Sequence, residues 1–160
     1  MRLLIAAVGR LKQGPERELL AHYLARAEAL GRKLALRPIA AIETPESKAK
    51  TAPERKAAEA GALLGKIPAG HKLIGLDEKG EALSSESFAR LLATYRDSGA
   101  PGLAFVTGGA DGLGAGLLAK ADKVVSLAPM TLPHGLARIV LAEQIYRAAT
   151  ILAGHPYHRA

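Results

Sequence analysis

The sequence predicts an α/β fold, a parallel sheet with helices on both faces, built as a single domain over residues 1–160. Three observations carry this. Short apolar runs ending at glycine or polar segments alternate along the chain with segments of helical period. The connections are long enough to hold a crossover helix, which parallel strands need. The chain is 49% hydrophobic, enough for a core of its own, and its 160 residues fit one domain.

Arg2 to Val8 is an apolar run ending at Gly9 and reads as a buried strand. Pro15 opens a helix in its first turn, where a missing N–H costs nothing. Leu19, Leu20, Tyr23, Leu24, Ala27 and Leu30 then recur at helical spacing, and Gly31 closes it. Lys33 to Ala41 alternates as a second strand. Glu43 to Pro53 is polar with two prolines and reads as a loop or a broken helix start, and Glu54 to Lys66 is an Ala-rich helix. His71 to Leu76 is a third strand. Ser84 or Ser85 caps a helix running to about Ser98, with Glu86 in its first turn and Gly99 just beyond. Leu103 to Thr107 is a fourth strand, Leu113 to Ala121 a short helix and Lys123 to Leu127 a fifth strand. Leu136 to Ala153 is a long helix, followed by a polar tail from His155 to Ala160. No internal repeat, low-complexity tract or interdomain linker interrupts this order.

Composition excludes several classes of function. The absence of cysteine rules out a disulfide scaffold, thiolate metal sites and a catalytic thiol. No apolar run reaches the length of a membrane span, and the N-terminus lacks a cleavage signal, so a soluble, cytoplasmic protein is expected. The formal charge of +7 favours polyanions, RNA first, or marks a generally basic surface. Aromatic residues are only 4%, which argues against base-stacking platforms and leaves an electrostatic, shape-based grip.

In an open parallel sheet, ligands sit beyond the carboxyl ends of the strands. The informative loops are then those after Leu76, Thr107 and Leu127. The glycine cluster from Gly108 to Gly116 follows a strand and enters a helix. It serves either as a tight turn or as a backbone surface approaching a ligand. The dinucleotide fingerprint and the Walker A motif are both missing. Leu127 to His134 is apolar and stiffened by Pro129 and Pro133, which suits a flat apolar ligand such as adenine or a connector packed on the core. The long helix carries few polar residues, among them Arg138, Glu143, Gln144 and Arg147. It is therefore buried within the fold or against a partner. His134 and Arg138 share a face, and Glu143 with Arg147 reads as a helical ion pair. The tail concentrates His155, Tyr157, His158 and Arg159 in five residues. No clustered carboxylates accompany these histidines, so no metal site is expected.

Several of these segments resemble one family. Thr131-Leu132-Pro133-His134 with Arg138, the stretch from Ala142 to Ala148, and Pro156-Tyr157-His158-Arg159 look like the ribosomal RNA large subunit methyltransferase H family. Leu3 to Lys12, Leu76 to Glu86 and Val106 to Leu113 extend the likeness over essentially the whole chain. Thr107 stands where the family often has Ile. These are SPOUT-class enzymes that methylate N3 of a pseudouridine in a hairpin loop of 23S rRNA.

The resemblance implies an α/β trefoil knot at the C-terminal part, a homodimer, and a preference for the assembled ribosome. It implies an S-adenosylmethionine site on Leu76, Gly108, Leu127, Ala128, Pro129, Met130, Thr131 and Leu132. The active set it implies is His134, Arg138, Tyr157, His158 and Arg159, with no metal. Because N3 carries a proton, a general base is expected, with His134, His158 or Glu143 as candidates. The rival readings are a SPOUT enzyme acting on another RNA such as tRNA, and a non-catalytic basic RNA-binding module.

Overall fold

The computed structural model describes residues 1–159. Five strands form one all-parallel sheet in the order β2-β1-β4-β3-β5. They are β1 (Arg2–Val8), β2 (Ile39–Thr44), β3 (Lys72–Ala82), β4 (Gly102–Thr107) and β5 (Lys123–Ser126). The helices are α1 (Pro15–Gly31), α2 (Ala52–Leu64), α3 (Ser85–Asp97), α4 (Ala115–Leu118) and α5 (His134–Leu152).

Alternation along the strands splits the core into two layers, because successive strand side chains point to opposite faces. Leu3 and Ile5 of β1, Ile74 of β3, and Leu103 and Phe105 of β4 pack with Leu20 of α1, Phe88 and Leu92 of α3, and Leu141 and Ile145 of α5. Ala6, Val8 and Val106 pack on the other face with Leu63 of α2 and Leu117 of α4. Helices cover both faces, so β4 at the centre is buried along its whole length.

Local chemistry explains where the elements start. α2 begins at Ala52 because Thr51 and Glu54 form a capping box, with a proline in the first turn. α3 begins after Ser84, whose side chain accepts from the Ser87 backbone N–H. α5 begins at His134, directly after Pro133, two residues ahead of the expected start.

Three elements depart further from the sequence reading. The third strand does not end at Leu76: β3 runs on to Ala82, with a bulge after Leu76 that lets Glu81 and Ala82 pair with β5 again. Lys33 to Leu36 is not strand: Arg32–Leu34 form a 3-10 turn and β2 starts only at Ile39. Gly31 is still helical here. Its missing side chain admits the Leu36 carbonyl oxygen, which would lie 2.2 Å from a Cβ at that position. That oxygen's residue closes the turn, with the Leu36 N–H donating to the Gly31 carbonyl at 2.9 Å. Buried Leu36 thus mimics a strand position while plugging the core from a turn. The short helix is also reduced, to Ala115–Leu118, because glycines crowd its start.

The order of the strands reverses direction between β1 and β4. The chain moves outward to β2, returns to β3, inserts β4 between β1 and β3, then adds β5 at the far edge. From that edge it comes back to α5, which packs against α1 and α3.

Candidate active site

A bulge within β3 and the loops after β4 and β5 open into one cavity of about 590 Å³. Each wall has its own cause. After Leu76, residues Asp77, Glu78, Lys79 and Gly80 bulge outward, and both Leu76 and Glu81 register on Val125. Gly80 is required there: a Cβ would lie 2.6 Å from the Val125 carbonyl carbon. The Lys79 N–H donates to Asp77 Oδ1 at 2.9 Å, which holds the bulge in shape. After Thr107, the glycine loop folds back on itself. The Gly112 N–H donates to the Gly109 carbonyl at 2.9 Å, and Gly112 takes the left-handed φ of 78°. After Ser126, the side-chain hydroxyl donates to the Ala128 carbonyl at 3.0 Å and sets the course of the apolar loop.

Of the loop residues singled out from sequence, Leu76, Gly108, Leu127, Ala128, Met130, Thr131 and Leu132 line this cavity, and Pro129 does not. His134 lines it too, from the first turn of α5. Sequence reading missed the charged part of the wall. Lys56, Asp77, Glu78, Lys79 and Asp111 all face the cavity, adding both charge signs to a wall that also carries Thr107, Ser126, Thr131 and His134. The one signal for Asp77 to Lys79 is the change from apolar to charged residues directly after Leu76, which marks the bulge in β3. Lys56 comes from α2 and had none.

Arg138 is placed elsewhere. It is 2% exposed and does not line the cavity. Its guanidinium donates to Glu43 Oε1 at 3.0 Å and to the Val8 carbonyl. Burial pulls its pKa down from the usual arginine value, against the opposing pull of Glu43, Glu16 and Glu46. Glu43 Oε1 also accepts the Leu11 N–H at 3.1 Å. Arg138 thus ties α5 to the carboxyl ends of β1 and β2.

Tyr157 and His158 join a second cluster farther along α5. Tyr157 donates to Glu143 Oε1 at 3.0 Å, and the same oxygen accepts Arg147 at 2.6 Å. The Tyr157 ring lies 4.7 Å from that of Tyr146, and the Arg147 guanidinium sits 4.9 Å from its centre. Burial, then Glu143, pushes the Tyr157 phenol up to about 12. His158 Nε2 lies 2.7 Å from Glu86 Oε1, and its Nδ1 3.5 Å from Arg147. Hydrogen bonds from its own backbone N–H, from Ser84 and from His158 hold the Glu86 carboxyl down at about 2. Glu86 is therefore an acceptor at neutral pH, facing His158 Nε2. Arg159 is exposed.

The structure therefore brings together His134 and the three loops, and separately Tyr157 and His158. From His134 to Glu143 the helix rises about 14 Å, at 1.5 Å per residue. Among the described residues, no group of three or more His, Asp or Glu is placed to hold a metal, and no helix is long and apolar enough to cross a membrane.

The family described as Predicted SPOUT methyltransferase matches residues 1–158. A protein of Xanthobacter autotrophicus named Ribosomal RNA large subunit methyltransferase H is 55% identical over 160 residues, all of both chains. One of the same name from Rhizobium meliloti is 53% identical over 160 residues, again all of both. A solved structure, that of a probable methylase family protein from Haemophilus influenzae Rd KW20, superposes with a TM-score of 0.52 at 13% identity. It covers 99% of this chain and 70% of that one, and shows the fold alone. With the profile spanning nearly the whole sequence and full-length relatives above half identity, the chain belongs to the SPOUT methyltransferases, in the ribosomal RNA large subunit methyltransferase H family.

Proposed function

We propose that the protein transfers a methyl group from S-adenosylmethionine to N3 of a pseudouridine in a hairpin loop of 23S rRNA, on the assembled ribosome in the cytoplasm. The observation that carries this reading is the convergence of the β3 bulge and the loops after β4 and β5 on one cavity, with His134 at its wall. The cavity fits the cofactor in size and chemistry. Its volume of about 590 Å³ is in the range of small-molecule sites. Leu76, Leu127, Ala128 and Leu132 offer an apolar surface to an adenine, while Asp77 and Glu78 complement cationic groups and Lys56 and Lys79 a carboxylate. The trefoil-knot reading of the C-terminal part rests on membership of the SPOUT methyltransferase family.

When bound, S-adenosylmethionine supplies an electrophilic methyl group on a sulfonium. The rest of the chemistry falls to this chain's residues. N3 must lose its proton to become nucleophilic, and the base has to stand at the cavity. His134 does, and histidine exchanges a proton near neutral pH. Tyr157, held protonated, acts as a hydrogen-bond donor. His158, fixed between Glu86 and Arg147, orients the tail. Exposed Arg159 is then free to meet the negative charge that develops on the base as N3 is deprotonated. Arg138 works at one remove, by setting the start of α5 and so the place of His134.

The separation of His134 from the tail along α5 favours a homodimer in which the tail of one copy serves the cavity of the other. Leu19 and Leu136, both large and exposed on the α1–α5 side, offer apolar surface for that contact. The loops after β1 and β2 lie beside each other, since Val8 and Thr44 are in register, and they present Arg10, Lys12, Lys48 and Lys50 to solvent. These cations suit the phosphate backbone of the RNA.

The test is methyl transfer from labelled S-adenosylmethionine to ribosomes lacking the modification, with mass mapping of the product. Label on a 23S pseudouridine is expected. Label found only on tRNA would move the enzyme to another substrate, and no cofactor binding at all would overturn the enzyme reading. Gly108→Ala gives a second check on the cavity. An added Cβ would lie 2.3 Å from the Gly112 carbonyl carbon, so the glycine loop must open. Cofactor affinity should fall by about tenfold or more, roughly 1.4 kcal/mol, by calorimetry.

A further inference from the structure

We infer that Arg55 is a positioning residue for cofactor binding, a strut that holds the glycine loop in its receiving shape through Asp111. The inference rests on the reading of the cavity as the cofactor site. Arg55 stands in the first turn of α2, on a helix start fixed by the Thr51–Glu54 capping box. Its guanidinium meets Asp111 with two parallel bonds, Nε to Oδ2 at 2.6 Å and Nη2 to Oδ1 at 3.2 Å. The remaining nitrogen, Nη1, donates to the carbonyls of Ala49 and Lys50, both at 3.2 Å. One planar group thus joins the loop before α2 to the loop after β4.

Asp111 lines the cavity and Arg55 does not, so Arg55 acts through its partner. The back of the glycine loop is braced by the same helix. Glu59, one turn farther on, is buried, and its Oε2 would lie 3.1 Å from a Cβ at Gly109. Glu59 also accepts the Ser47 N–H at 2.9 Å. The loop itself is glycine-rich, with Gly112 at positive φ, and has little internal reason to keep one conformation. The pair sets the Asp111 carboxyl below its usual range, first through the Arg55 hydrogen bond, so both charges persist at neutral pH. With side-chain exposures of 30% and 27%, the pair is open to salt.

The sequence offers no hint of this, because the two residues are 56 positions apart. A strut of this kind affects cofactor capture more than the chemical step. Arg55→Ala should raise KM for S-adenosylmethionine by about tenfold, with kcat within about threefold of wild type. Arg55→Lys keeps the charge but loses the planar fork, and should recover only part of the loss. The reciprocal swap Arg55→Asp with Asp111→Arg should recover more than either single change. Raising salt should raise KM more steeply in the wild type than in Asp111→Asn, a milder change that serves if Arg55→Ala folds poorly. Equal KM in wild type, Arg55→Ala and Asp111→Asn would overturn the strut. Failure of the wild type itself to bind S-adenosylmethionine in calorimetry would instead overturn the cofactor reading of the cavity.

Discussion

Replacing Arg138 with Met should destabilise the protein by about 3–5 kcal/mol, the cost of breaking a buried pair by removing one partner. The side chain is 3% exposed and that of Glu43 is 20% exposed, so water does little to compensate the carboxylate left behind. The Val8 carbonyl loses its guanidinium donor in the same step. The effect should be non-additive. In Arg138→Met with Glu43→Gln, the uncompensated carboxylate is gone, and part of the loss should return. Urea unfolding of the two single variants and the double checks this. A loss below about 1 kcal/mol in Arg138→Met would make the pair a surface-like contact and remove it as the anchor of α5. Methyl transfer should fall along with stability, because His134 lies one turn ahead of Arg138 on the same helix.

This anchor also shows what could be read from the sequence and what could not. The motif containing His134 and Arg138 was visible as an i, i+4 pair, and it invited the reading that both face one site. The structure places His134 on the cavity wall and encloses Arg138, because Glu43 and Val8 wait for it at the ends of β2 and β1. No local signal marks Glu43, which is 95 residues away. The strands fared better for a physical reason. A strand covered on both faces is apolar throughout, and β4 is buried at every position, so its run stands out. β2 was mislaid by Leu36, whose burial comes from a turn and not from a pleat. The loops after β4 and β5 are legible because a parallel sheet fixes which strand ends approach a cavity, whereas the segment after Leu76 is a bulge inside β3, which pairs with β5 again at Glu81. The strut from Arg55, and the seat of the tail on Glu143 and Glu86, depend on side chains that meet only after folding.

His134→Ala and Arg159→Ala should each abolish methyl transfer while leaving S-adenosylmethionine binding intact. Loss of a general base costs about 10²–10⁴-fold in kcat. Neither change should unfold the chain, since both residues are exposed. The stronger result comes from mixing the two variants. Within one chain, the tail is docked at the level of Glu143 and Glu86, while His134 sits at the start of α5. A site completed by the partner's tail would pair His134 of one copy with the tail of the other. In a mixed dimer both defects then fall on the same site and the second site is whole. Random exchange makes about half the dimers mixed, so up to about a quarter of wild-type turnover should reappear. A site completed within one chain leaves every site in every dimer with one defect, and the mixture stays dead. Recovery on mixing, read by label transfer to ribosomes, would place His134 and Arg159 in one reaction across the dimer. Silence on mixing, with each variant folded and binding cofactor, would require the tail to swing back over its own cavity. That in turn would require the contacts of Tyr157 with Glu143 and of His158 with Glu86 to break in every turnover. Substituting Glu86 by Gln would then raise activity, whereas a tail that works from its docked position on the partner should lose activity when the Glu86 carboxylate is removed.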